Sequence, residues 1–228
     1  MLLRSMAAIA CCAALLVCAA RSQEEKAEVH VRLVAHAAHA VPAVIWLEPL
    51  AGTAVPAFLP RQHYTLLQKN RMFQPHLLVI PVGSTVQFPN ADPFFHNVFS
   101  LFDGKRFDLG LYEAGSTRAI SFSREGVSYI FCNIHPEMSA VVLTLSTPLF
   151  AVGDAKTAFA LHEIPQGDYR LHIWLEGVPQ TDLNSLTRAV HVSARVLDLG
   201  DVEVPTAQTT RHSNEYGQSY RPTAKSAY

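Results

Sequence analysis

The run Tyr129-Ile130-Phe131-Cys132-Asn133-Ile134-His135-Pro136-Glu137-Met138 constrains this chain more than any other stretch. It begins as a β-type sequence and ends in a Cys, a His and a Met at steps of three. Three extended residues span roughly 10 Å, so these side chains meet at one ion only if the loop curls tightly around it. Pro136 favours that curl, because it fixes its own φ and pushes His135 away from helical angles. A thiolate, an imidazole and a thioether crowded together suit a copper centre that cycles between Cu(II) and Cu(I). A trigonal site with a weak axial Met needs a second imidazole from elsewhere. The best candidate is His96, in Phe94-Phe95-His96-Asn97-Val98-Phe99.

Most of the remaining sequence has the period of β-strands. Val29, Val31 and Leu33 alternate with His30, Arg32 and Val34, and Ala43 to Leu47 forms a second apolar run after Pro42. His76 to Val82 and Thr85 to Phe88 read as strands joined through Gly83. Asp103-Gly104 is a turn signal, and Arg118 to Ser123 is a short strand with Ile120 and Phe122 on one face. Ser128 to Cys132 and Ala140 to Leu145 flank the candidate ligand loop. His36-Ala37-Ala38-His39 reads as turn residues rather than ligands. No convincing amphipathic helix interrupts the pattern, which favours an all-β Greek-key sandwich over an α/β fold.

From about Tyr64 to Ser146 the chain resembles a cupredoxin, the plastocyanin-like family of small blue copper proteins, with the short Cys-x-x-His-x-x-Met loop of amicyanin. The matching pieces are Phe73-Gln74-Pro75, Pro81-Val82-Gly83-Ser84-Thr85-Val86-Gln87-Phe88, Asn90-Ala91-Asp92, His96-Asn97-Val98 and the loop itself. The resemblance implies one type 1 copper held by His96, Cys132, His135 and Met138. It also implies that Asn97 ties the two ligand-bearing loops together by hydrogen bonds. Glu137 departs from the pattern, since amicyanin-like loops place an apolar residue there. The same blocks are similar to methylamine-utilisation-like periplasmic proteins, a label that carries no substrate.

A second resemblance begins after Ser146. Phe159-Ala160-Leu161 and Ile164-Pro165-Gln166-Gly167-Asp168-Tyr169-Arg170-Leu171-His172-Ile173-Trp174 are similar to the carboxypeptidase-regulatory-like β-sandwich, an Ig-like fold marked by a Pro-x-Gly-x-Tyr hairpin. Read from the residues, Pro165 and Gly167 make the turn, and Tyr169, Leu171 and Ile173 share one face of a strand. The expected division is a signal segment at 1–20, a copper-binding domain at 60–147, a second small sandwich built from 27–59 and 148–205, and a disordered tail at 206–228. A tandem order of the two domains is the alternative to this insertion. His162, His172 and His191 are expected to be exposed strand residues.

Arg4 followed by an apolar run to Ala20 has the length of a secretory signal core, short for a bilayer span. An N-terminal membrane anchor or a lipoprotein are the alternatives to cleavage. Cleavage removes Cys11, Cys12 and Cys18, leaving Cys132 as the lone thiol of an exported, periplasmic or secreted chain. Such a thiol asks for a role, and metal ligation supplies one. Without Arg4 the chain has 17 basic against 19 acidic residues, and this near-neutral balance argues against a nucleic-acid partner.

Three functions compete. In the first, the copper takes one electron from a periplasmic redox protein and passes it to another. His135 is then the electron port, with Pro93, Phe94, Phe95 and Pro136 as an apolar docking rim; the two phenylalanines read equally well as core. The second is a copper-binding or delivery protein using the same four residues. The third, an enzyme with Cys132 as nucleophile and His135 as base, leaves Met138 unexplained. A multicopper oxidase or copper nitrite reductase needs further histidine clusters. A structural module with an empty site is the remaining alternative.

Overall fold

A computed structural model describes residues 26–35, 40–61, 63–101 and 104–207, together with Tyr216 and Gln218. The signal segment expected at 1–20, the His36 to His39 turn, Asp103 and almost all of the expected tail lie outside the described residues. No helix among the described residues is long and apolar enough to cross a membrane.

The strands are β1 (Ala27–Ala35), β2 (Pro42–Pro49), β3 (Tyr64–Thr65), β4 (Leu67–Lys69), β5 (Met72–Gln74), β6 (Leu77–Pro81), β7 (Ser84–Pro89), β8 (His96–Ser100) and β9 (Phe107–Tyr112). They continue with β10 (Thr117–Phe122), β11 (Gly126–Phe131), β12 (Ser139–Leu145), β13 (Phe150–Asp154), β14 (Ala158–Ile164), β15 (Gly167–Leu175), β16 (Arg188–Val192) and β17 (Val196–Val204). One helical turn, α1 (Gln180–Asn184), follows Pro179 and buries only Leu183. The fold is all-β, as the strand patterning predicts.

Two sheets enclose the candidate centre. The larger has the order β6-β12-β11-β8-β9, the smaller β10-β7-β3, and the β4–β5 hairpin sits beside them. β6 runs parallel to β12 and β3 parallel to β7, pairings that require crossing connections and give the sandwich its Greek-key character. Gly83 makes the tight β6–β7 turn at φ +87, a conformation costly for residues with a side chain. Between the sheets lie Ile80, Val86, Phe88, Val98, Phe122, Ile130, Ala140 and Val142.

A second sandwich pairs the sheet β14-β1-β17 with the sheet β13-β2-β15-β16. β1 lies between β14 and β17, and β2 between β13 and β15, so strands from both ends of the chain share both sheets. Val29, Val31 and Leu33 from β1 meet Ile45, Leu47, Phe159, Leu161, Tyr169, Leu171 and Ile173. At the β14–β15 turn a Cβ on Gly167 would lie 2.6 Å from Thr53 Cγ2, so the chain packs there only without a side chain. Tyr169 closes the same corner by donating its hydroxyl to Pro165 O at 2.7 Å.

β12 explains how the two sandwiches join. Its sequence is mostly apolar and does not alternate, and Ala140 to Leu145, Thr144 included, are all buried. A strand of that kind must be covered on both faces. Ala140 and Val142 face the first core, while Val141, Leu143 and Leu145 belong to the core that contains Ile45, Leu47 and Trp174. Each such side chain contributes roughly 1.5–3 kcal/mol when it leaves water. Trp174 Nε1 donates to Tyr129 Oη at 3.4 Å across this junction, and His76 Nε2 meets the Glu176 carboxylate at 2.8 and 3.0 Å.

Candidate metal centre

β11 delivers Cys132 to a loop closed by two backbone bonds. Met138 N–H donates to His135 O at 3.0 Å and Cys132 N–H to Met138 O at 3.3 Å, so the chain returns on itself before entering β12. This is the curl that the sequence requires. The neighbouring strand β8 begins at His96, and its pairing with β11 through Phe99 and Phe131 sets His96 beside the loop.

Three donor atoms converge. Cys132 Sγ lies 3.7 Å from His96 Nδ1 and 3.5 Å from His135 Nδ1, and the two nitrogens are 3.1 Å apart. The centre of a triangle with these sides lies about 2.0 Å from each corner. Imidazole nitrogen and thiolate sulfur bind a first-row ion such as zinc at roughly 2.0–2.3 Å, so one ion fits between them without rearrangement. Met138 is fully buried in the same core as Cys132. Two nitrogens and a sulfur, with no carboxylate among the converging atoms, fit copper and disfavour magnesium or calcium.

The electrostatics favour neutral donors until a cation arrives. Burial pushes the Cys132 thiol up, and the acid of Glu137 adds to this, while backbone N–H groups of Asn97, Ile134 and His135 pull it down. A bound cation is what tips such a thiol to the thiolate. His135 is held below its ordinary value, first by burial and then by the adjacent His96, which leaves the ring neutral and able to offer a lone pair.

His96 is fully buried and turns its Nε2 to Asp92 Oδ2 at 2.9 Å. Asp92 in turn accepts the backbone N–H of Asn70 at 2.6 Å and of Arg71 at 3.0 Å. The ring of Phe94 packs against both imidazoles, at 5.2 Å from His96 and 5.5 Å from His135, and the Arg71 guanidinium lies over its outer side at 5.3 Å.

His96, Cys132 and His135 are thus brought together, with Met138 at the end of their loop. The Asn97 side chain donates to Asp108 Oδ1 on β9 at 2.7 Å; it is the Asn97 backbone N–H that reaches Cys132 Sγ. Pro93 and Pro136 are exposed, Phe95 is 51% exposed, and Phe94 is half-buried against the imidazoles. Ile134, 45% exposed, was not expected in this rim. His162 and His191 are exposed on strands and pair with Glu28 and Asp168, as expected, whereas His172 is only 23% exposed, because its ring stacks on Trp46 at 5.0 Å while its Nε2 meets Glu48. Sequence reasoning also missed Asp92 and Arg71. A carboxylate four residues before a candidate ligand was the available signal for Asp92; for Arg71, whose role depends on a hairpin folding back, there was none.

No family model and no curated protein matches the chain. Among solved structures it is similar to the Cu-containing nitrite reductase from Thermus scotoductus, at 27% identity over 43% of this chain and 25% of that one, with a TM-score of 0.35. The chain therefore spans a quarter of that reductase. It is also similar to a purple cupredoxin from Nitrosopumilus maritimus, at 26% identity over 37% of this chain and 100% of the other, with a TM-score of 0.32. A Cu(I) variant of amicyanin matches at 17% identity over 36% and 82% of the two chains, with a TM-score of 0.35.

Proposed function

We propose that this chain is an exported type 1 copper protein that passes single electrons between redox partners, a carrier and not an enzyme. The observation that carries the reading is the triangle of His96 Nδ1, Cys132 Sγ and His135 Nδ1, whose centre lies a metal–ligand bond length from all three. These residues would hold one copper, with Met138 as the weak axial donor. Copper bound there supplies a one-electron couple.

The chain's own part is to hold the donors still. Cys132 and His96 start from paired strands, the loop is closed by backbone bonds, and Phe94 packs on both imidazoles. Fixed donors suit electron transfer, because little must move between oxidation states. His135 is half-buried and reaches the surface beside exposed Phe95, Pro136 and Ile134, which supports it as the electron port to a transient periplasmic partner. We further read residues 60–147 as a unit inserted between 27–59 and 148–205; the sharing of sheets by β1 and β2 with β13 to β17 supports this over a tandem order.

The test is a visible and EPR spectrum of the purified mature protein loaded with Cu(II). Intense thiolate-to-copper absorption with narrow copper hyperfine splitting is expected. A colourless protein that takes up Cu(I) and readily gives it to a chelator would instead be a delivery protein.

A further inference from the structure

We propose that Asp92 is the positioning residue of the centre: its carboxylate holds the His96 ring with the proton on Nε2, so that Nδ1 faces Cys132 and His135 as a lone pair. Its consequence for copper rests on the reading above; its geometry does not. Asp92 is 5% exposed, and a carboxylate so far from water persists as an ion only when it is hydrogen-bonded. Asn70 N–H donates to Oδ1 and Arg71 N–H to Oδ2, and His96 Nε2 lies 2.9 Å from the same Oδ2. The two backbone N–H groups can only donate, so both carboxyl oxygens already serve as acceptors. An ionised carboxylate only accepts, so the hydrogen between it and the ring belongs to Nε2. With that proton on Nε2, the lone pair of the imidazole lies on Nδ1, the atom that points at the other two donors.

The turn that supplies the other two donors is built for this contact. Asn70 and Arg71 both have positive φ, +56 and +55, as the two central residues of a tight hairpin between Lys69 and Met72. Glycine would adopt this conformation more easily than arginine. Arg71 has a use there that glycine lacks, since its guanidinium covers Phe94 while its backbone N–H holds Asp92. The β4–β5 turn thus grips the site twice, once through Asp92 to His96 and once through Phe94 to both imidazoles. An anionic acceptor on Nε2–H makes the ring a stronger donor and favours the more highly charged state of a bound metal.

The first experiment needs no copper and no variant: a long-range proton–nitrogen NMR correlation of the histidine rings in the metal-free full chain. His96 is expected as a single Nε2–H tautomer, and an Nδ1–H tautomer would overturn the proposal. In Asp92→Asn the tautomer is expected to become mixed or to switch, and the copper-loaded variant to shift to a higher reduction potential. An unchanged tautomer and potential in that variant would leave Asp92 as a turn cap and nothing more. The two readings separate cleanly. A chain that takes up no copper yet keeps the Nε2–H tautomer loses the electron-transfer function and retains the positioning role; a blue protein whose metal-free His96 is protonated on Nδ1 does the reverse.

Discussion

His96 Nδ1 and His135 Nδ1 stand 3.1 Å apart with Cys132 Sγ 3.7 and 3.5 Å from them, three donor atoms facing one point. A cation at the centre replaces these contacts with metal–ligand bonds. Copper is therefore expected to stabilise the fold. At a free concentration about 1,000 times the dissociation constant, the gain is about 4 kcal/mol. Thermal unfolding with and without copper reads it, and a midpoint that ignores copper would remove the ion from the triangle.

Cys132→Ser keeps the size of the side chain and removes the soft donor. The intense thiolate-to-copper absorption should vanish, while a hydroxyl with two imidazoles retains at most a weak, pale copper site. A variant that stays blue would take the thiolate out of the assignment.

Met138→Ala separates a packing role from a ligand role. Met138 is fully buried, so truncation is expected to cost about 2–5 kcal/mol of stability. Copper should still bind, with altered potential, because the triangle lacks nothing. Complete loss of binding in a variant that remains folded would make the thioether more than an axial donor.

Much of this arrangement is legible in the sequence because it depends on local spacing. Cys132, His135, Pro136 and Met138 lie in one loop, and Ala140 to Leu145 reads as a strand flanking it. The alternation of Val29, Val31 and Leu33 likewise gives the buried face of β1. What depends on long-range return was not legible. β9 carries a register shift against β8 and a positive-φ Gly110, which blurs its alternation, and it went unrecognised as a strand. Asp92 sits in a turn-like Asn90-Ala91-Asp92 stretch, and only the folding back of the β4–β5 hairpin gives its carboxylate two backbone donors. For Asn97 the side chain and the backbone serve different neighbours, a distinction no sequence pattern encodes.

Leu143 tests whether the two sandwiches unfold together. It is 1% exposed on the outer face of β12, in the core shared with the β13-β2-β15-β16 sheet. Leu143→Ala should cost about 2–5 kcal/mol. The loss is expected in a single transition, seen equally by Trp174 fluorescence and by the copper absorption. Two separate transitions, with only one displaced, would mean that the junction transmits little.

His76 gives this junction a pH dependence. Its Nδ1 lies 3.1 Å from Ser139 O and its Nε2 lies 2.8 Å from Glu176 Oε1. A carbonyl and a carboxylate both accept, so the imidazolium, with a proton on each ring nitrogen, is the form that satisfies both contacts. The hydrogen bond to Glu176 raises His76 above its ordinary 6.5, against the opposing effect of burial. A raised value means that the charged form is the one the folded state favours. Its contribution is therefore complete below pH 6.5 and is lost as the pH climbs through the raised folded value. The side chain is 42% exposed, so water screens the pair. The effect should stay under about 1 kcal/mol. Stability measured from about pH 5.5 to 9 for the native chain and for His76→Gln should show a gap that closes toward high pH. A gap of constant size would mean that His76 acts by shape and hydrogen bonding, with no charge involved.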